Sequence, residues 1–555
     1  MNKQKLKSGL VRIVVASFCL ALGADAARAA TGTWTGEAEA EWGTTYDNWS
    51  GVTGTPWDLA NGTNNAAVFN TAGATPSVSG TVYVNAITFD NTATVGGGTI
   101  ALGRKGATQP SITANSDVTI NASLTNTATT TPLTKNGAGT LVLAGNSTFS
   151  SMALSVSQGK LVMTAANTLG RQVSVSSGAE LVVTNGATLT TSTGQSAVAG
   201  TLRVNGGTFS DGYDLVIQAG GRTIIESGIY TNARQIGIAG TMLVNGGTFA
   251  YKYNAFHIGW DLAVPDNSSG IMIQSNGLFS AIGAPNSYNL YIGSSPRFDS
   301  PSSGAYTMVG GTQTVDRGVV IGNANGTGTS VGTLTISNAV GVTEPVANIP
   351  SLVFGVGANA QGTLNLAAGT LRVNSLSNGG VSTYTQVFNF SGGTLRPYNN
   401  TATIGSTTAA NNTTITLIGT DATISSSDKD GFGRTVNIRS KLTGEGAITF
   451  TGTGTHNVMS PDNAYTGHTT VNGATVVWSY ARLSANADLI CINSPTINLA
   501  YTGTNTIRRL YVNGTAQTPA VYKAANAPAD MTITGAGALE VTEAEPSKGT
   551  VISIR

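Results

Sequence analysis

Few side chains in this sequence gather in a pattern that could do chemistry. The densest acidic stretch is Asp428-Lys429-Asp430-Gly431, with Asp421 before it and Arg434 after it. Carboxylates so placed could ligate a hard cation or share acid/base work on a glycosidic bond. The D-x-D-G fragment lacks the later ligands of a calcium loop, so a solvated turn is the simpler expectation. Gly328-Thr329-Ser330-Val331-Gly332 spells the G-x-S-x-G of a nucleophile elbow. That motif needs a strand-to-helix turn, and no helical pattern follows.

His257, His456 and His468 stand at no spacing that would let them share a metal. His257 reads as an outward ring on a strand, and His468 as part of a turn. Tyr251, Tyr253, Phe256 and Trp260 gather within ten residues, and Tyr288, Tyr291 and Tyr306 follow. Exposed on a sheet wall, such rings could stack on sugars, with their polar edges left wet. Tyr251, Tyr253, Phe256 and Trp260 are therefore the candidate ligand-binding residues, against the competing reading that they fill a core or anchor a loop. No catalytic, cofactor-binding or metal-ligating set emerges, and there is no dinucleotide fingerprint, P-loop or H-E-x-x-H.

The elements that would position these residues are strands. Charged residues are only 10% of the 555-residue chain, while Gly, at 71, is about double its usual share. Between residues 30 and 550 helical periodicity is almost absent, and short Leu- and Val-rich runs alternate in character between Gly and Asn breaks. Thr201-Leu202-Arg203-Val204, Thr241-Met242-Leu243-Val244, Thr333-Leu334-Thr335-Ile336 and Thr363-Leu364-Asn365-Leu366 each follow a Gly. Each puts its apolar residues on one face at period two.

The runs recur in company. Asn205-Gly206-Gly207-Thr208-Phe209 returns as Asn245-Gly246-Gly247-Thr248-Phe249, and an apolar residue before Gly recurs at Ile258-Gly259, Ile292-Gly293, Ile321-Gly322 and Phe354-Gly355. Those glycines are 34, 29 and 33 residues apart. A fixed strand-turn grammar at variable spacing indicates stacked rungs with loops of unequal length. A sandwich is the competing architecture. Sequential, Gly-cornered repeats favour a parallel β-helix.

The chain opens with Lys3, Lys5, Lys7 and Arg12, a 12-residue apolar run from Ile13 to Ala24, and Ala27-Arg28-Ala29. This is the pattern of a secretory signal peptide over residues 1–29, cleaved before Ala30. Without it, 23 Lys and Arg face 26 Asp and Glu. So balanced a surface offers no footprint for nucleic acid. Cys491 is then the one remaining cysteine, within Leu489-Ile490-Cys491-Ile492, and reads as a buried small hydrophobe. Trp34, Trp42, Trp49 and Trp57 mark a cap over the open end of a solenoid.

Two stretches carry a family resemblance. Lys135-Asn136-Gly137-Ala138-Gly139-Thr140-Leu141-Val142-Leu143-Ala144-Gly145, followed by Gly159-Lys160-Leu161-Val162, resembles the autotransporter-associated β-strand repeat of bacterial exported passenger proteins. So does Asn463-Ala464-Tyr465-Thr466-Gly467-His468-Thr469-Thr470-Val471-Asn472-Gly473. The resemblance implies an all-β, single-stranded, right-handed parallel β-helix of pectin-lyase-like type, with terminal caps, and a place outside the cytoplasm. Its divisions are a signal peptide (1–29), a cap and first rungs (30–130), the β-helix (131–505, with repeats near 133–163 and 442–477) and a closing segment (506–555). The last fifty or so residues are too few for the membrane barrel of an autotransporter, so separate export machinery is expected.

These readings converge on a secreted or cell-surface, structural or adhesin-like protein. It would be non-enzymatic, without cofactor or metal, and would present a surface to an extracellular glycan or cell-envelope component. It would be exported through the inner membrane to the exterior, the outer cell surface or the periplasm, with no transmembrane segment in the mature chain. The alternative is a carbohydrate-active enzyme, a polysaccharide lyase or hydrolase, or a carbohydrate-binding β-helix.

Overall fold

The computed structural model describes residues 29–545 apart from 37–39, 104–107, 128–131, 185, 253–254, 261–267, 284–287, 296–299, 325, 380–385 and 407–412. The segment expected to be a signal peptide, residues 1–29, lies outside these residues except for Ala29.

Period-two alternation becomes strands, and Gly-rich breaks become corners. Leu133–Asn136 lies on a first face, Thr140–Leu143 on a second and Ser147–Phe149 on a third. The chain then returns to the first face with Leu154–Val156, parallel to Leu133–Asn136 and in register with it. Repetition of this circuit builds a parallel β-helix. First-face stacking runs from Thr31–Trp34 to Thr532–Gly535.

Thr140–Leu143 shows why the sequence folds so: Thr140 and Val142 point out, and Leu141 and Leu143 are buried in the coil. No single rung could bury that apolar edge, but each neighbour covers it. The interior is accordingly a set of ladders. On the first face Val156, Val175, Val198, Ile217, Ile238, Ile258, Ile292 and Ile321 follow one another in register. On the third face Phe209, Tyr230, Phe249 and Phe279 do the same. Phe249 and Phe279 stack at 5.2 Å with an interplanar angle of 8°.

Four rungs are enlarged. Second-face strands Ser268–Gln274, Ser302–Met308, Ser330–Ile336 and Ala360–Leu366 are seven residues long and in register. The recurring apolar-Gly element explains the extra length. Gly293 has φ +65°, and a Cβ on Gly304 would lie 2.3 Å from the Gly293 nitrogen and 2.2 Å from the Ile258 carbonyl oxygen. Gly332 meets Gly322 in the same way. Two glycine ladders thus let two backbones touch. Gln386 ends the contact: its Oε1 accepts the Gly362 N–H at 2.6 Å, and its Nε2 donates to the Ala360 carbonyl at 3.0 Å. Gly304→Ala is expected to destabilise these rungs by about 1–3 kcal/mol through overpacking. Amide exchange across residues 290–336 should accelerate, and unchanged protection there would contradict the close contact.

Both ends are closed by antiparallel strands. Trp49–Ser50 runs antiparallel to Thr31–Trp34 at the start, where Trp34, Trp42, Trp49 and Trp57 are all buried. Their rings contact one another at centroid distances of 4.6 to 5.8 Å. Thr515–Ala516 and Val521–Tyr522 are antiparallel to Arg509–Val512 and Ala538–Val541 at the other end. Reversed strands stop the parallel ladder where they pair and leave only short edges there, which offer another chain little to grow on.

Candidate functional site on the outer wall

Two of the aromatic residues proposed for sugar stacking, Tyr251 and Phe256, belong to the interior. Strand Thr248–Tyr251 alternates so that Phe249 and Tyr251 both point inward, and Tyr251 and Phe256 are buried. Trp260 is also buried, with its ring 4.6 Å from that of His257. Their faces are covered by protein, so none of the three can stack on a sugar. Clustering in sequence suggested a surface, whereas the strand's period-two phase directs Tyr251 inside. Tyr253 lies outside the described residues. Tyr306 is buried too, its hydroxyl donating to Gln274 Oε1 at 2.5 Å.

The histidines serve packing. His257 faces outward from its strand, as expected, but is covered there, stacked on Tyr291 at 4.8 Å, with Nδ1 2.9 Å from Ser294 Oγ. His456 points into the coil beside Phe450, and its Nε2 lies 2.9 Å from the Thr451 carbonyl. Burial pushes its pKa down to about 4, so the ring is neutral at physiological pH. His468, on the surface, accepts the Asp488 N–H at 3.0 Å. Among the described residues no three or more His, Cys, Asp or Glu side chains are placed to hold a metal ion.

The Asp428 turn is solvated, as expected, with Lys429, Asp430, Gly431, Phe432 and Gly433 exposed, but the Asp428 side chain is buried beneath it and ties it together. Asp428 Oδ1 accepts the N–H groups of Asp430 and Phe432 at 2.9 and 3.0 Å, and Oδ2 accepts Arg434 Nε at 2.7 Å. Removal from water pushes this carboxyl up, but Arg434 and the two amides push it further down, leaving it below the usual range. Both carboxylate oxygens are engaged by the turn itself. Ser330, the would-be elbow nucleophile, is buried within a strand, with Oγ 3.2 Å from Ser302 Oγ. Cys491 is buried, and burial pushes its thiol up to about 12, which leaves it unreactive.

What remains available is the wall. Its outward positions repeat rung after rung. Thr188 and Thr208 are register partners on the third face, as are Thr370 and Thr394, and Thr394 and Thr423. Amides chain across rungs as well: Asn389 to Asn365 at 2.8 Å, Asn457 to Asn437 at 2.8 Å, and Asn493 to Asn472 at 2.7 Å. The second face carries outward Val142, Val162 and Val182 in register, then Arg203. Beside them Lys160 pairs with Glu180 at 3.2 Å, and Arg203 bridges Glu180 and Glu226.

Arg203 has two counterparts on the third face. Gly369-Thr370-Leu371-Arg372 and Gly393-Thr394-Leu395-Arg396 repeat the phrase Gly200-Thr201-Leu202-Arg203. They put Arg372 and Arg396 directly opposite each other on adjacent rungs. The shared phrase was visible in the sequence. That the two arginines stack needed the register.

No family model, curated protein or solved structure matches this chain. No helix among the described residues is long and apolar enough to cross a membrane.

Proposed function

We propose that this chain is a structural or adhesin-like solenoid of the cell exterior, non-enzymatic, whose outer wall meets an extracellular glycan or cell-envelope component. The observation that carries the reading is the division of labour between the two sides of each strand. Inward positions are spent on packing and on hydrogen bonds that close corners. Outward positions repeat hydroxyls and amides at the inter-rung spacing of about 4.8 Å. Such a surface suits a long, repetitive, polar partner, because each further rung adds the same weak contact. The likeness of residues 135–145 and 463–473 to passenger repeats supports a place outside the cytoplasm, as does the amino-terminal segment.

The mature chain incubated with a panel of neutral and acidic polysaccharides should release no new reducing or unsaturated ends. Sustained, enzyme-proportional release of fragments would overturn this reading in favour of a carbohydrate-active enzyme.

A further inference from the structure

Several charges on this wall pair off. Arg203 is held between Glu180 and Glu226, Arg434 by Asp428, and Lys429 by Asp430 at 2.6 Å. Arg372 and Arg396 enter none of the ion pairs among the described residues. They are register partners on adjacent strands, and like charges directly opposite in a sheet are destabilising. Arg372 Nη1 reaches only the neutral Asn348 Oδ1, at 3.2 Å, and its Nε is shielded from water with no hydrogen-bond partner. Arg396 donates through Nε to the Ser427 carbonyl at 2.8 Å and through Nη2 to that of Asp428. Those carbonyls fix its guanidinium without neutralising it. Partial burial, then the charge of Arg372, pushes Arg396 below the ordinary arginine value, against the smaller opposing effect of the Asp428 carboxylate.

Two half-buried guanidiniums one rung apart, one of them fixed from behind, place their remaining N–H donors close together, as an oxyanion requires. Thr370 and Thr394 flank them on the same strands, with outward hydroxyls. We propose that Arg372 and Arg396 form a clamp for the carboxylate or sulfate groups of an acidic polysaccharide lying along the third face, with Thr370 and Thr394 beside its sugar hydroxyls. This rests on the reading of the wall as a glycan-binding surface and names the class of glycan. Arg372 is the binding arm. Arg396 also tethers the 427–428 carbonyls, so its substitution tests folding as well as binding.

The test is calorimetric titration of the mature chain with polygalacturonate, with the same polymer after reduction of its carboxyls to alcohols, with dextran sulfate and with inorganic sulfate. Polygalacturonate or dextran sulfate should bind, which tells carboxylate from sulfate as the preferred group, and affinity should fall as salt rises. Carboxyl reduction should weaken polygalacturonate binding about tenfold or more, and so should Arg372→Gln. Arg372→Lys, which keeps the charge but loses the planar fork, should fall between. Arg203→Gln, on another face, should change nothing. Inorganic sulfate should compete only weakly, since a single ion gains from one clamp and not from the wall. Unchanged affinity in a folded Arg372→Gln variant would overturn the clamp, as would binding of neither acidic polymer. Equal binding of charged and reduced polygalacturonate would overturn it too, while leaving the glycan-binding wall intact. Release of fragments would bear only on the non-enzymatic reading.

Discussion

Asp211→Asn is expected to make the protein more stable at pH 8 and to abolish part of its pH dependence. Asp211 ends strand Thr208–Asp211 and points into the coil, in register between Thr191 and Asn232. It is buried, accepting Thr191 Oγ1 at 2.6 Å and the Tyr230 hydroxyl at 3.4 Å. Arg234 pairs with Asp214 at 3.5 Å instead, so no cation offsets the Asp211 charge. Burial pushes its pKa up to about 7 against the partial opposition of Thr191, Ser196 and Tyr230. Between the ordinary carboxylate value near 4 and about 7, the folded chain holds a proton that the unfolded chain releases. Stability is therefore fully present below about pH 4 and declines as pH rises to about 7, by about 4 kcal/mol in all. Asn keeps the shape and hydrogen-bonding capacity, and the two hydroxyls can turn to accept from its amide. Because a solenoid opens locally, the measurement is amide exchange across residues 188–251 at pH 5 and pH 8. Wild type should exchange disproportionately faster at pH 8 once intrinsic chemistry is corrected, and the variant should not. Parallel pH profiles for the two proteins would sink the assignment.

That residue also marks where the sequence stopped being legible. The coil was readable because Leu, Val and Ile at period two announce an inward face, and Gly announces a corner. The same phase, followed strictly, sends Tyr251 inside with Phe249 and Asp211 inside with Phe209. A polar or amphipathic residue at an inward position is the signal of such a site. The glycine ladders were half visible. Gly259, Gly293, Gly322 and Gly355 stood out, but their partners Gly270, Gly304 and Gly332 are defined only once two strands are seen to touch. The arginine clamp was hidden for another reason. Arg203, Arg372 and Arg396 share one local phrase, and only the neighbouring rungs decide which of them meets a carboxylate. Local rules fix which way a side chain faces, and stacking fixes what it meets.

Lys135→Met is expected to loosen the rungs around residues 133–163, although methionine suits the neighbourhood better by hydrophobicity. Lys135 stands in the first-face ladder between Ile112 and Val156, and it is buried. Its ammonium bends to the corner and donates to the carbonyls of Gly137 and Gly139, each at 2.6 Å, and of Gln158 at 2.9 Å. Three donors thus meet three acceptors from two successive corners, which is the physical content of the Lys-x-Gly-x-Gly phrase. Replacing a whole buried polar pair by apolar groups can be neutral. Here the carbonyls remain when the lysine goes. Gly139 keeps the Lys160 amide at 3.3 Å, but Gly137 and Gln158 keep only what water can reach. Stranding such acceptors costs about 1–3 kcal/mol each, so a loss of about 2–4 kcal/mol should outweigh relief of the buried charge. Amides at both corners should exchange faster in the variant, while the distant rungs 215–258 stay protected. The pH dependence supplies an independent check. Burial pushes the Lys135 pKa down to about 8, so from pH 8 up to its ordinary value near 10.5 the unfolded chain binds the extra proton. Wild type should gain local stability across that window as the amine sheds its charge and retains donors, and the variant should lack the gain. Corners equally protected in Lys135→Met, with the same alkaline profile, would mean that the carbonyl cage contributes nothing and that the lysine is merely tolerated there.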